Sequence, residues 1–343
     1  MQPKDTNQKP GKDKEQPAGG KKYTCDETDS EHPNKTDVVH PAPKKRKTTT
    51  RFQMFRGLKW NPRTQSCAYD SVLSVISNMY LHNADNWQES MDGKNSLLSG
   101  IMQEWAKAIQ YAEFDRIEAA RDALQAKLNN KDSISFFISG GHTDLGHLLA
   151  KLMRDDSGTQ WKYARKCGHC NREETPLIKR SMCTLAATGT QTTLAAEIKH
   201  RFNRVSTQPC RTCRQVKVSE TLKINKDNPP PFMAIQLEDR RQQGEGACQP
   251  KMTSQVTIGD SSEQLTYKPR DLIYWNHTHC TCRMIDKAGK VYYNDGMTTG
   301  NSYIHSGKLG EIPDMYNTKG AQLTCVILSL VEFTLFSRSS EQQ

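Results

Sequence analysis

Long apolar runs are missing from this 343-residue chain. The most apolar stretch, Leu323 to Phe336, is interrupted by Glu332 and is shorter than the ~20 residues a membrane-spanning helix needs, so no membrane partner is expected. Aromatic residues are scarce at 7%, and hydrophobic residues make up 35%. That composition excludes a membrane protein and still allows a sizeable globular core. The opening MQPKDTNQKPGKDK has no apolar centre of the secretory type. The 11 cysteines are therefore expected to work in a reducing compartment, where an odd number favours metal sites and reactive thiols over a disulfide framework. Residues 1–50 lack Trp, Phe, Leu and Ile entirely, and a segment with so little to bury is expected to be a disordered tail.

Positive charge is in excess, with 48 Lys and Arg against 38 Asp and Glu, a net +10. Within the tail, Pro43-Lys44-Lys45-Arg46-Lys47 is a compact basic run of the kind an acidic import receptor reads on an extended segment. It predicts a nuclear location. The charge also allows nucleic-acid binding, but no Lys/Arg stripe with interleaved aromatics stands out in the body of the chain.

From Phe52 onward the texture changes. Tyr69, Val72, Leu73, Ile76, Met79 and Tyr80 fall on one helical face, predicting a helix over 65–80. A second stripe from Leu98 to Leu124 predicts one long helix or two stacked ones over 95–130, and Asp144–Met153 a shorter one. After Trp161 the strand-like runs are Phe232–Leu237, Gln264–Tyr267, Leu272–Trp275, His279–Ile285, Val291–Tyr293 and Leu323–Phe336, with a helix near Leu194–Phe202. Helices first and strands later predict a segregated α+β fold.

Cys67 stands where a polar segment, Asn61-Pro-Arg-Thr-Gln65-Ser66, runs into the first helix. Unpaired backbone N–H groups and the helix dipole stabilise a thiolate there, and a nearby histidine makes it a nucleophile. The amides of Asn61 and Gln65 just upstream can donate to a developing oxyanion. Far along the chain, His277 and His279 lie on a predicted strand, and Asp295 follows the next one. Asp286-Lys287-Ala288-Gly289 reads as the turn between them. A two-residue turn pairs 286 with 289, which leaves Asp295 on the opposite face from His279 unless a bulge intervenes. Period 2 puts Cys280 and Cys282 inward and leaves His277 and His279 on one face, undistinguished.

Cys167-x-x-Cys170 and Cys210-x-x-Cys213 are two knuckles, each able to supply two thiolates from one turn, and together they predict a tetrahedral zinc site.

The segments Gln65-Ser66-Cys67-Ala68-Tyr69-Asp70-Ser71-Val72-Leu73 and His279-Cys280-Thr281-Cys282-Arg283, followed by Val291-Tyr292-Tyr293-Asn294-Asp295-Gly296-Met297, resemble the cysteine and histidine boxes of ubiquitin-specific proteases. The second box is most similar to divergent fungal members, some of which travel with transposable elements. The resemblance spans roughly residues 55–335. It implies a papain-like hand: a helical thumb over 51–160, zinc-bearing fingers over 161–225 and an antiparallel β palm over 226–343. It also implies that the zinc site is structural and closed. It implies Cys67 as nucleophile, His279 rather than His277 as base, Asp295 as its orienting partner, and ubiquitin or a ubiquitin-like modifier as substrate. Familiar members carry an asparagine where Pro62 stands, and flank the histidine differently from Thr278 and Cys280. Two other readings therefore stay open: an inactive ubiquitin-binding relative and a zinc-ribbon nucleic-acid module.

Overall fold

The computed structural model describes residues 56–82, 95–111, 113, 115–131, 142–154, 161–174, 177–178, 182–185, 193–206, 208–225, 229–237, 251–260 and 263–333. The basic run at 43–47 and the rest of the expected tail lie outside them. All described residues belong to one unit, Gln53–Gln343.

Among the described residues, four helices come first: α1 (Cys67–His82), α2 (Ser96–Tyr111), α3 (Asp115–Lys131) and α4 (Leu145–Leu152). Then follow β1 (Trp161–Cys167), β2 (Glu173–Glu174), β3 (Leu177–Ile178), β4 (Met182–Leu185), α5 (Leu194–Phe202), β5 (Asn203–Val205) and β6 (Val218–Ile224). The remaining strands are β7 (Phe232–Leu237), β8 (Val256–Asp260), β9 (Glu263–Trp275), β10 (Cys280–Ile285), β11 (Lys290–Asn294), β12 (Ile304–Lys308), β13 (Asn317–Thr318) and β14 (Ala321–Phe333). The segregation is that of an α+β fold.

The predicted stripe over 95–130 resolves into two packed helices, α2 and α3. The chain breaks near Glu113, whose N–H reaches back five residues to the carbonyl of Ala108. Helix α1 departs from expectation in another way, because it is buried on every side where one apolar face was expected. Two of its buried polar residues bond within the fold: Ser74 Oγ accepts from the Leu58 N–H at 2.9 Å, and Asn78 Nδ2 donates to the Ser74 carbonyl at 2.6 Å. Asp144 caps α4, accepting from the His147 N–H.

The strands form two sheets. The larger runs in the order β12-β11-β10-β9-β14-β7-β4, with β13 on β14 and β8 on β9. It is antiparallel except where β4 pairs with β7. Both of its faces are covered. Ile273, Cys282, Cys325 and Ile327 join α1, α2 and α4 in one core, while Leu272, Tyr274, Val326 and Leu328 join α5 in the other. Burial on both faces explains why Cys325–Leu328 in β14 is apolar at every position, with no alternation. The two short strands expected at 264–267 and 272–275 are one, β9, which runs through Pro269. Pro269 pairs with Leu328 beside a register shift at Ile327/Leu328, a bulge that spares the missing N–H. The smaller sheet, β2-β1-β6-β5 with β3 on β1, carries the cysteine knuckles.

The β10–β11 turn corrects the expected register. Ile285 pairs with Val291, and the Asp286 N–H bonds the Lys290 carbonyl at 2.9 Å, so the turn holds one residue more than a two-residue hairpin. Gly289 takes the left-handed conformation this demands, with φ 77°. The added residue, the glycine bulge of this turn, moves every β11 side chain to the other face, which brings Asp295 onto the side of His279. A Cβ on Gly289 would meet nothing within 4 Å. Gly289→Ala should therefore cost about 1 kcal/mol through backbone strain alone, read as a lower urea midpoint with an unchanged m-value.

Candidate functional site

Cys67 opens α1, and the segment before it is held by its own backbone. The N–H groups of Thr64 and Ser66 bond the Asn61 carbonyl, and the Asp70 N–H bonds the Ser66 carbonyl at 2.8 Å. Gln65 has φ 52°, an uncommon value for a residue with a side chain. The Asp295–Gly296 backbone passes close by: the Trp60 N–H bonds the Gly296 carbonyl at 3.1 Å, and a Cβ on Gly296 would come within 2.7 Å of the Leu58 carbonyl oxygen. Only glycine fits that approach.

Cys67 is buried, 5% exposed as a residue. Hydrogen bonding from the Cys280 thiol, joined by the His279 ring and the Cys280 backbone, outweighs burial and lowers its pKa to about 4. Cys280 was expected to point inward, and it does, beside Cys282. Its contact with Cys67 was not legible in the sequence. The one available signal was its adjacency to His279.

His279 lies just before β10. Its N–H donates to Asn276 Oδ1 at 2.8 Å, and its Nε2 is 2.7 Å from Asp295 Oδ1, which leaves Nδ1 for the thiol. Burial pulls the imidazole pKa down, but Asp295 and Cys67 together raise it to about 9. For Asp295 itself, burial acts upward. His279, Thr298 Oγ1 at 2.7 Å and the Met297 N–H at 2.9 Å hold the carboxyl well below the usual carboxylate range. His277, expected on a strand, sits in the β9–β10 connection with φ 79° and packs against Trp275 at 5.0 Å between ring centroids. His279 thus meets Asp295 and interacts with Cys67, whereas His277 packs against Trp275.

The two upstream amides are placed differently. Asn61 Nδ2 donates to Asp122 Oδ2 at 3.4 Å, and Gln65 Nε2 to the Pro62 carbonyl at 3.2 Å. Each NH₂ carries a second hydrogen. Beneath them lies a buried ion pair, Asp70 with Arg121, that sequence reasoning missed. Burial pushes the Asp70 carboxyl up to about 7 against the pull of Arg121 and Ser66. Position 70 falls in the first turn of α1, but nothing in the sequence pairs it with a residue on α3.

The four knuckle sulfurs lie within 4.8 Å of one another. Cys167 Sγ is 3.4 Å from Cys213 Sγ, and Cys170 Sγ is 3.7 Å from Cys210 Sγ. A tetrahedron with 2.3 Å metal–sulfur bonds has edges of about 3.8 Å, so the set fits zinc. The knuckles share one backbone form. Asn171 and Arg214, each following a second cysteine, have φ 53° and 61°, and the first cysteine's N–H bonds the carbonyl five residues on. Backbone amides of His169 and Cys170 hydrogen-bond the Cys167 sulfur, and those of Thr212 and Cys213 the Cys210 sulfur.

No family model matches the chain, and no curated protein sequence matches it significantly. Solved structures do. A SAGA DUB (deubiquitinase) module of Ubp8, Sgf11, Sus1 and Sgf73 bound to monoubiquitin matches at 13% identity and TM-score 0.52, covering 81% of this chain and 70% of that one. The same module bound to ubiquitin aldehyde matches at 12% identity and TM-score 0.50, with the same coverage. At this identity the likeness speaks for the fold: this chain has a ubiquitin-specific-protease-like architecture, with a four-cysteine cluster that could hold zinc.

Proposed function

We propose that this chain is a thiol-dependent deubiquitinase that hydrolyses the bond after the C-terminal glycine of ubiquitin or a ubiquitin-like modifier. The observation that carries the reading is the line from Cys67 through His279 to Asp295, closed by the 2.7 Å Nε2–Oδ1 contact. Its thiol is lowered to about 4 and its imidazole raised to about 9. Neutral pH lies between those values, so the pair rests as thiolate and imidazolium. In this reading the Cys67 sulfur attacks the glycine carbonyl, and the carbonyl π electrons move to oxygen. The Cys67 backbone N–H, Asn61 and Gln65 are the donors within reach of that oxyanion. As the tetrahedral intermediate collapses, imidazolium gives its proton to the departing lysine amine. Water, deprotonated by His279, then cleaves the thioester, and the departing Cys67 thiolate restores the thiolate–imidazolium pair. Asp295 keeps the ring turned and favours its charged form. Zinc, held by Cys167, Cys170, Cys210 and Cys213, takes no part, because four thiolates leave no open position. The ubiquitin-bound SAGA module of similar fold supports the substrate class. The basic run at 44–47 belongs to the same proposal, as an import signal for a nuclear enzyme.

One observation favours a ubiquitin-binding relative without turnover: the Asn61 and Gln65 amides are engaged by Asp122 and Pro62. Capture of ubiquitin with no cleavage of an amide substrate would support that second reading.

Ubiquitin carrying a C-terminal electrophile should add once to the chain and not at all to Cys67→Ala, by intact mass. No adduct on the folded parent chain would sink the proposal. Because reaction needs thiolate and imidazolium together, kcat/KM should rise as pH climbs through about 4 and fall as it passes about 9. Asp295→Asn removes the carboxylate that favours the imidazolium. Its falling limb should therefore move to lower pH, with kcat reduced by up to about 10⁴-fold. Metal analysis of the purified chain should give about one zinc per molecule, and Cys170→Ser with Cys213→Ser should abolish it and unfold the small sheet.

A further inference from the structure

A buried ion pair is expensive to desolvate, and an apolar pair of the same volume often serves stability as well. Asp70 and Arg121 form such a pair, their side chains 3% and 2% exposed. Their remaining polar atoms converge on the short segment that ends at Cys67. Asp70 Oδ2 accepts from Ser66 Oγ at 2.7 Å, and Ser66 Oγ in turn accepts from the Asn61 N–H at 2.8 Å. Arg121 Nη1 donates to the Lys59 carbonyl at 2.6 Å, and its Nε to Asp122 Oδ1 at 2.9 Å. One turn along α3, Gln125 Nε2 donates to the Thr64 carbonyl at 2.6 Å. Helix α3 therefore fastens residues 59–66 near their beginning, middle and end. Gln65 keeps its left-handed backbone inside this frame, and such strain persists only where the surroundings over-determine it.

We propose that Arg121, seated on Asp70, is a positioning residue for the thiol reaction: it holds residues 59–66 in the geometry that presents the Cys67 backbone N–H and the Asn61 amide to the developing oxyanion. Arg121 touches neither the thiol nor a substrate and acts through the segment it holds. Oxyanion donors work because they are fixed before charge develops, and a displacement of about 1 Å costs on the order of 10²-fold in rate. The inference rests on the deubiquitinase reading above.

The test compares the parent chain with Arg121→Lys and with the paired variant Asp70→Asn/Arg121→Met. A lysine can face Asp70 but cannot also span Lys59 and Asp122. The paired variant removes both charges at similar volume, so no lone charge is left buried. On a fluorogenic amide of the ubiquitin C-terminus, both variants should lose about 10²-fold in kcat with KM unchanged and the unfolding midpoint retained. Amide hydrogen exchange should show protection lost at residues 60–67 and kept in β10 and β11. A purely structural pair would lower the midpoint and leave kcat per folded molecule alone, and that result overturns the proposal. If the parent itself fails to cleave the substrate, the functional reading has failed, and exchange decides the inference separately. Unchanged protection at 60–67 in both variants would overturn it, whereas selective loss there would uphold the clamp.

Discussion

Helix α1 packs against β10, so a thiol that opens the first described helix meets an imidazole and a carboxylate more than 200 residues downstream. That packing dictates much of the surrounding architecture. Because α1 must reach the middle of the large sheet, it is buried all round, and its serines and Asn78 find partners within the fold. The sheet has to be covered on both faces to hold β10 in place, and β9 and β14 accordingly contribute residues to both cores. Gly296 lets the Asp295 backbone run flush against residues 58–60, which joins the helical segment to the sheet beside the thiol.

One buried ion pair lies near this junction. Asp70 and Arg121 neutralise one another under the segment that leads to Cys67. Asp271, fully buried in β9 with neither carboxylate oxygen hydrogen-bonded, is pushed by burial well above the ordinary carboxylate value. Cys282 and Cys325 nearby are likewise pushed up, as inert thiols. Cys67 differs from them although it too is buried. Donors converge on its sulfur from Cys280 and His279, and hydrogen bonding to the charged form outweighs desolvation. The same residue type is thus a nucleophile candidate at one position and core filling at another.

Much of the architecture was legible because it depends on local periodicity. The helices at 67–82, 145–152 and 194–202 and the strands at 232–237 and 280–285 follow from spacings of 3.6 and 2. The failures have equally local causes. A polar stretch, Lys268-Pro-Arg-Asp271, looked like a gap between strands, yet Arg270 bonds Ser329 Oγ and the strand continues through it. The turn at 286–289 looked one residue tighter than it is, because sequence cannot distinguish a two-residue loop from a three-residue loop ending in a left-handed glycine.

Read alone, the chain specifies its α+β order, two cysteine knuckles whose spacing suits one metal, and a cysteine at a helix start with histidines and an aspartate far downstream. Those features are carried by neighbouring residues, so they are visible without a fold. Folding decided which histidine meets Asp295, which face Asp295 takes, that Cys280 touches Cys67, and that α3 grips the segment before it. Each of these joins residues distant along the chain. Contacts of that kind are set by strand register and helix packing, which no local pattern encodes.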